Sequence, residues 1–148
     1  QSTEEYVIQT LIDNFKTKAG TVTYNQLVIA SMVEREGLTD QDRPLIADVI
    51  IRRLNEGWLL QIDATLLYHH MDWEHVITDQ DKQLDQPYNT DLSLRLPPTP
   101  ISNPGASAIN AVLDPTPNSY YYYIHADGEV YFATTLAEHE QNIATYLR

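Results

Sequence analysis

Apolar residues along this chain fall mostly at helical spacing. Ile8, Leu11, Ile12 and Phe15 predict an amphipathic helix over about residues 3–18, opened by a Ser2–Glu5 capping box and closed near Gly20. The next segment differs: from Leu27 to Val33 it is apolar on nearly every side, with Ser31 the mildest exception. A helix of that kind belongs in the middle of a domain. Thr23 and Gln26 have the form of its capping box, and Gly37 suits a left-handed residue just past its end, giving a span of about 24–36. A third helix is predicted over about 40–55, capped by Thr39, with Leu45, Ile46, Val49, Ile50 and Leu54 as its apolar side.

The period then shortens. Gln61, Asp63 and Thr65 alternate with Leu60, Ile62 and Ala64, which suits an extended segment with three polar side chains on one side, before a short helix starting at Asp63 or Thr65. Residues 71–93 carry many Asp and Gln with little periodicity and read as an irregular loop with one helical turn. Leu96 to Gly105 is proline-rich, hence rigid and extended. Asn103 and Pro104 read as N-cap and first residue of a helix over about 104–113. Tyr120–His125 and Glu129–Thr134 flank Ala126-Asp127-Gly128 as a β-hairpin, and Thr135 with Glu138 caps a last helix reaching Leu147. The expected fold class is α+β: one mainly helical domain over residues 1–148 with a small sheet near its C-terminal end.

Composition excludes several functions. The net charge is −12 with only nine Lys and Arg, and these do not cluster, so nucleic-acid binding is disfavoured. The absence of cysteine removes disulfides, thiolate metal sites and cysteine nucleophiles. No apolar run reaches the roughly 18 residues of a membrane span, and no export signal is visible. The chain opens at Gln1, as expected of a segment cut from a longer protein. Ten tyrosines against two phenylalanines suit a carbohydrate or peptide cleft, and equally suit half-buried packing. His69, His70 and His75, with Asp72 and Glu74, raise the question of a metal. Adjacent histidines usually point apart and the segment reads as loop, so no metal is assigned.

The candidate chemistry lies in the last turn of the apolar helix. Glu36 continues the face of Ile29, Met32 and Val33, while Glu34 shares the face of Leu27, Ala30 and Ser31. A helix C-terminus and burial both disfavour an ionised carboxylate, and so favour an acid still protonated near neutral pH, as general acid catalysis requires. The alternative is a solvated turn in which both glutamates pair with arginine.

Several blocks together carry a resemblance. They are Ala30 through Glu36, Arg53-Leu54 with Gly57, Leu60 through Thr65 with Tyr68, Tyr88-Asn89-Thr90, and Leu96-Pro97-Pro98 through Ile101-Ser102-Asn103-Pro104-Gly105. The tail adds Tyr123, Ala126-Asp127-Gly128, Phe132 and Glu138-His139. In order and spacing this resembles the YceG-like (MltG) family of endolytic murein transglycosylases, over about residues 20–145. The resemblance implies a lysozyme-like catalytic domain that cleaves the MurNAc–GlcNAc β-1,4 bond of peptidoglycan strands without water, leaving 1,6-anhydro-MurNAc ends. It implies no cofactor. It also implies an N-terminal membrane anchor elsewhere in the protein, a location on the extracytoplasmic face of the bacterial inner membrane, and cell-wall synthases as partners. By position the catalytic glutamate is Glu36, with Glu34 supporting it. Ser31, Gln61, Asp63, Thr65, Tyr88, Asn89 and Asn103 fall in matching blocks and are carried over as substrate-binding residues.

The chain departs from the family pattern at Gly37 (usually Thr), Arg52 (usually Asn), Ala64 (usually Pro) and Val130 (often His). A non-catalytic or weakly catalytic peptidoglycan-binding module is the alternative, favoured by the change at Gly37 beside the acid. The lyase activity once attached to the family name, on aminodeoxychorismate, needs a pyridoxal Schiff base. Lys16, Lys18 and Lys82 are the only lysines, and no phosphate-cradling glycine loop accompanies them.

Overall fold

A computed structural model describes residues 2–147. Among these residues the chain forms seven helices and one hairpin: α1 (Thr3–Ala19), α2 (Tyr24–Glu36), α3 (Asp42–Asn55), α4 (Asp63–His70), α5 (Asp79–Gln83), α6 (Ala106–Leu113), β1 (Tyr122–Ala126), β2 (Glu129–Ala133) and α7 (Leu136–Tyr146). The α+β class read from the sequence is the one observed.

Helix α2 is the centre of the domain. Val28 through Val33 are all buried, and the helix packs against α6, α3 and α4. Ile46, Ala47 and Ile50 of α3, Ala108, Ile109, Ala111 and Val112 of α6, and Leu60, Ile62 and Ile101 from the connecting segments complete the core. The Thr23–Gln26 box caps α2 as predicted, and the same device opens α1, α5 and α7. In α1 the predicted apolar stripe forms but stays in solvent: Leu11 is 63% exposed, and no residue of the helix is buried.

The proline-rich segment crosses α2 and is bolted to it. Ser31 Oγ accepts the Ile101 N–H at 2.9 Å, Ser102 Oγ donates to the Ser31 carbonyl at 2.9 Å, and Tyr24 Oη donates to the Pro98 carbonyl at 3.0 Å. Helix α6 then starts later than the Asn103-Pro104 pair predicts. Its N-cap is Gly105, whose N–H donates to Glu34 Oε2 at 2.9 Å. A side chain from α2 therefore takes the N–H of the N-cap residue itself, while the first turn of α6 has no side-chain cap.

The hairpin pairs Tyr122 with Ala133 through Ala126 with Glu129, antiparallel. Asp127 and Gly128 both have positive φ (52° and 79°), which is the type I′ geometry that matches strand twist. Helix α7 packs on both strands. Arg53, 8% exposed, joins this unit to the helices. Its guanidinium donates to the carbonyls of Tyr121 (2.8 Å), Leu59 (3.2 Å) and Leu60 (2.8 Å). Arg52, one of the departures, is held by Asp48 at 2.6 Å and by the Asn118 carbonyl, so it ties α3 to the approach of the hairpin.

Candidate active site

A cavity of about 670 Å³ opens where the C-terminal end of α2 meets the hairpin. Glu36 lies in its wall as the last residue of α2. Strand β1 supplies the neighbours. Tyr123 and His125 stand two residues apart, hence on one face of the strand, and both reach Glu36. Tyr123 Oη donates to Glu36 Oε2 at 3.1 Å, and His125 Nε2 lies 2.7 Å from the Glu36 carbonyl oxygen. A carbonyl only accepts, so Nε2 of His125 carries a proton. That imidazole also satisfies one of the open carbonyls at the end of α2.

Burial of the Glu36 carboxyl pushes its pKa above the usual value of 4.5. The charge of His125 and the Tyr123 hydrogen bond oppose this, Asp63 adds to it, and Arg35 opposes it. Burial dominates, so the acid form is favoured. Tyr123 is driven well above 10, by its own burial and then by the Glu36 charge and hydrogen bond. It therefore remains a neutral phenol that can only donate to the carboxylate.

Of the residues carried over from the family pattern, Gln61 and Asp63 line this cavity with Glu36. Gln61 has φ of 55°, uncommon for a residue with a side chain. Its N–H is anchored on the Thr90 carbonyl at 3.0 Å. The left-handed residue ends the extended run and lets α4 begin at Asp63. The alternation predicted for Gln61, Asp63 and Thr65 therefore stops at Asp63, and Thr65 turns inward. Thr65 Oγ1 donates to the Ile62 carbonyl at 2.7 Å and meets Thr90 Oγ1 at 3.1 Å, fully buried.

The others lie apart from the cavity. Ser31 is buried in the bonds to the proline-rich segment. Asn89 is buried and donates to the carbonyls of Lys82 (3.0 Å) and Leu84 (2.8 Å), which fixes the loop after α5. Asn103 is exposed and absent from the Glu36 cavity; it borders one groove between α1 and α6 and another lined by Phe15, Leu27, Tyr68 and the proline-rich segment. Glu34 points to the start of α6. Tyr88, bonded to Thr99 Oγ1 at 2.8 Å, lines a second groove with Tyr68, Trp73 and Arg35. Arg35 borders both spaces, its guanidinium 3.8 Å over the Trp73 ring.

The cavity also holds residues to which the sequence analysis gave no role in the site: Arg53, Lys82, Asp91, Tyr123, His125 and His139. Lys82 Nζ lies 3.5 Å from Asp63 Oδ1. Asp91 is raised above its usual value mainly by burial, and its Oδ2 is buried without a hydrogen-bond partner. For Tyr123 and His125 a signal existed, namely the period-2 placement of polar rings on a predicted strand. For Lys82 and Asp91 nothing local marked them.

Gly37 does not have the left-handed conformation the sequence suggested; its φ is −80° and ψ 122°. Glycine is needed there because the Arg43 side chain lies across it, and a Cβ would collide with Arg43 Cγ. The neighbour of the acid is thus set by close packing with α3.

The YceG-like family model matches residues 1–145. An endolytic murein transglycosylase of Bacillus subtilis is 37% identical over 122 residues, covering 82% of this chain and 34% of that protein. An endolytic murein transglycosylase of Streptococcus pneumoniae is 33% identical over 138 residues, covering 88% of this chain and 25% of that protein. The chain thus spans about a quarter to a third of the length of these curated relatives. The crystal structure of a putative YceG-like protein from Listeria monocytogenes superposes with a TM-score of 0.77 at 36% identity, over 91% of this chain and 45% of that one. On the strength of a family match across almost all its residues, the chain belongs to the YceG-like family.

Proposed function

We propose that this domain is a lytic transglycosylase that cuts peptidoglycan strands internally at the MurNAc–GlcNAc bond, with Glu36 as the acid and base. The observation that carries the reading is a carboxyl at the end of the central helix, its pKa raised by burial, that accepts from Tyr123 and lines a cavity. The name of the two curated relatives, endolytic murein transglycosylase, supports it.

A hydrolase of the common type needs two carboxylates at a set separation. A transglycosylase needs one. Glu36 gives its proton to the glycosidic oxygen as the C–O bond breaks. The carboxylate left behind takes the proton of the sugar's own 6-hydroxyl as that oxygen closes on the anomeric carbon, which regenerates the acid and forms the anhydro ring. Tyr123 stabilises the carboxylate between the two transfers. Gln61 and Asp63 bind sugar hydroxyl and N-acetyl groups at the cavity rim, and Asp63 favours the positive charge that develops on the ring. An endolytic enzyme must hold the strand on both sides of the cut. The groove of Tyr68, Trp73 and Tyr88, of about 660 Å³ and joined to the cavity at Arg35, suits the continuing strand. Aromatic faces stack readily on sugar rings. Such an enzyme works in the cell envelope, on the extracytoplasmic face of the inner membrane and beside the synthases that make its substrate.

The test is product analysis. Purified glycan strands incubated with the chain are expected to gain anhydro-MurNAc ends, seen by mass, and Glu36→Gln is expected to abolish them while strands still bind. Strands that bind without gaining anhydro ends would instead favour the peptidoglycan-binding reading.

A further inference from the structure

The segment between α4 and α5 has little hydrophobic packing to order it: Met71 is 90% exposed and Val76 80%. Three side chains nonetheless draw it together. His70 from the end of α4, His75 from the loop and Asp81 from α5 converge, with His70 Nε2 3.0 Å from Asp81 Oδ1 and His75 Nε2 3.0 Å from Asp81 Oδ2. The two imidazole rings are 4.3 Å apart, and one ligand atom from each residue lies within 4.8 Å of the others. The His69 and His70 rings meet edge to face, with centroids 5.7 Å apart, so the expectation that these neighbours point apart does not hold. His69 lines the aromatic groove, while His70 meets His75 and Asp81.

We propose that His70, His75 and Asp81 form a divalent transition-metal site, best suited to Zn²⁺, that clips the 71–81 segment between α4 and α5. Two imidazole nitrogens and one carboxylate oxygen are donors that zinc takes at about 2.0–2.2 Å, and on a tetrahedron of that size neighbouring donors stand about 3.3 Å apart. The two 3.0 Å separations run to different oxygens of Asp81, so for one carboxylate oxygen and both Nε2 atoms to share a metal the three donors must draw in from the 4.8 Å that now spans them, a side-chain rotation of about an ångström. Magnesium and calcium prefer all-oxygen cages, so the imidazoles select against them. The carboxylate is also oriented from behind. Asp81 Oδ2 accepts from the Thr78 N–H at 2.7 Å and the Thr78 hydroxyl at 2.6 Å, the kind of outer support that fixes a ligand. Metal binding replaces the two Nε2–Asp81 hydrogen bonds with two Nε2–metal bonds, and water fills the fourth position.

The role is structural. None of the three residues lines the Glu36 cavity, but Lys82 follows Asp81 directly and reaches Asp63 at the cavity rim. The clip therefore steadies that rim without touching the acid, and it stands whether or not the transglycosylase reading does.

The experiment uses the tag-free chain, stripped with a chelator. Zinc is titrated by calorimetry, Co²⁺ by visible absorption, and thermal unfolding is followed with and without zinc. One equivalent of zinc, the absorption of four-coordinate cobalt and a zinc-dependent rise in Tm are expected. His75→Gln should weaken binding more than about tenfold and remove the Tm rise, with metal-free circular dichroism confirming its fold. His69→Gln should retain both. Absence of saturable one-equivalent binding by the unaltered chain overturns the proposal, as does zinc affinity in His70→Gln and His75→Gln equal to that of the unaltered chain.

Discussion

Tyr123 and Glu36 are 87 residues apart in sequence and 3.1 Å apart in space, with the phenol donating to the carboxyl. That bond lowers the Glu36 pKa while burial raises it. Removing the hydroxyl in Tyr123→Phe leaves the desolvated carboxyl with less to stabilise its charge, so its pKa rises further. Activity that needs the protonated acid should then persist to higher pH, and the alkaline limb of the kcat/KM profile should move upward. The loss at neutral pH should be about tenfold, the worth of one hydrogen bond in the reacting state. A profile with an unmoved alkaline limb would separate Tyr123 from the acid.

The raised pKa of Glu36 also makes a statement about stability. A carboxyl raised on folding holds its proton more tightly folded than unfolded. Below its ordinary value of 4.5 both states are protonated, and this group adds no pH dependence. As pH rises from there through the raised value, the unfolded state loses the proton first and stability declines; above it the whole penalty is in place. Glu36→Gln removes the titration and keeps the shape. Relative to the unaltered chain, the variant should gain Tm at about pH 8 and lose that advantage at about pH 4, read by thermal unfolding at both.

Much of the fold was legible because it rests on local chemistry. Capping boxes at Ser2, Thr23 and Thr135, and the Asp127-Gly128 turn, fix element ends through residues three or fewer positions apart. The all-round apolar stretch correctly placed α2 at the centre. The site was legible less evenly. Thr65 and Asn89 look like cleft residues in a linear pattern, but the left-handed Gln61 turns the chain and commits Thr65 to internal bonds, while the Asn89 amide is taken up by the carbonyls of Lys82 and Leu84. Asn103 has the local form of a cap, yet Gly105 takes that position, its N–H bonded to Glu34, 71 residues away. Period two puts Tyr123 and His125 on one face of β1, but that this face meets Glu36, and that Lys82 of α5 and Asp91 of the following loop reach the same cavity, depends on tertiary docking that no periodicity encodes.

Gly37→Thr restores the family's usual residue and tests why this chain departs from it. The backbone there is ordinary, so conformational strain is not the obstacle. The collision with Arg43 Cγ is, and it should cost about 1–3 kcal/mol as overpacking does. Arg43→Ala in the same chain should recover most of that cost, although it also forfeits the 2.6 Å pair with Asp40. Denaturant midpoints of the two single variants and the double variant read the coupling directly; additive costs would mean that the two side chains do not compete for space.

The two glutamates of the α2 terminus should separate cleanly by substitution. Glu34 Oε2 accepts the N–H of Gly105, the residue that opens α6, and its charge is also favoured at a helix start. Glu34→Gln keeps an acceptor oxygen in that place, so anhydro-end formation should stay within about tenfold of the unaltered rate. Glu34→Ala leaves the Gly105 N–H open and should cost about 0.5–1.5 kcal/mol, as the loss of one hydrogen bond does. It should lower activity only in proportion to the unfolded fraction. Glu36→Gln should show the reverse, a folded chain with no product. Rates and thermal midpoints for all three variants on one batch of glycan strands decide the matter, and an inactive but fully stable Glu34→Gln would transfer the acid role from Glu36 to Glu34.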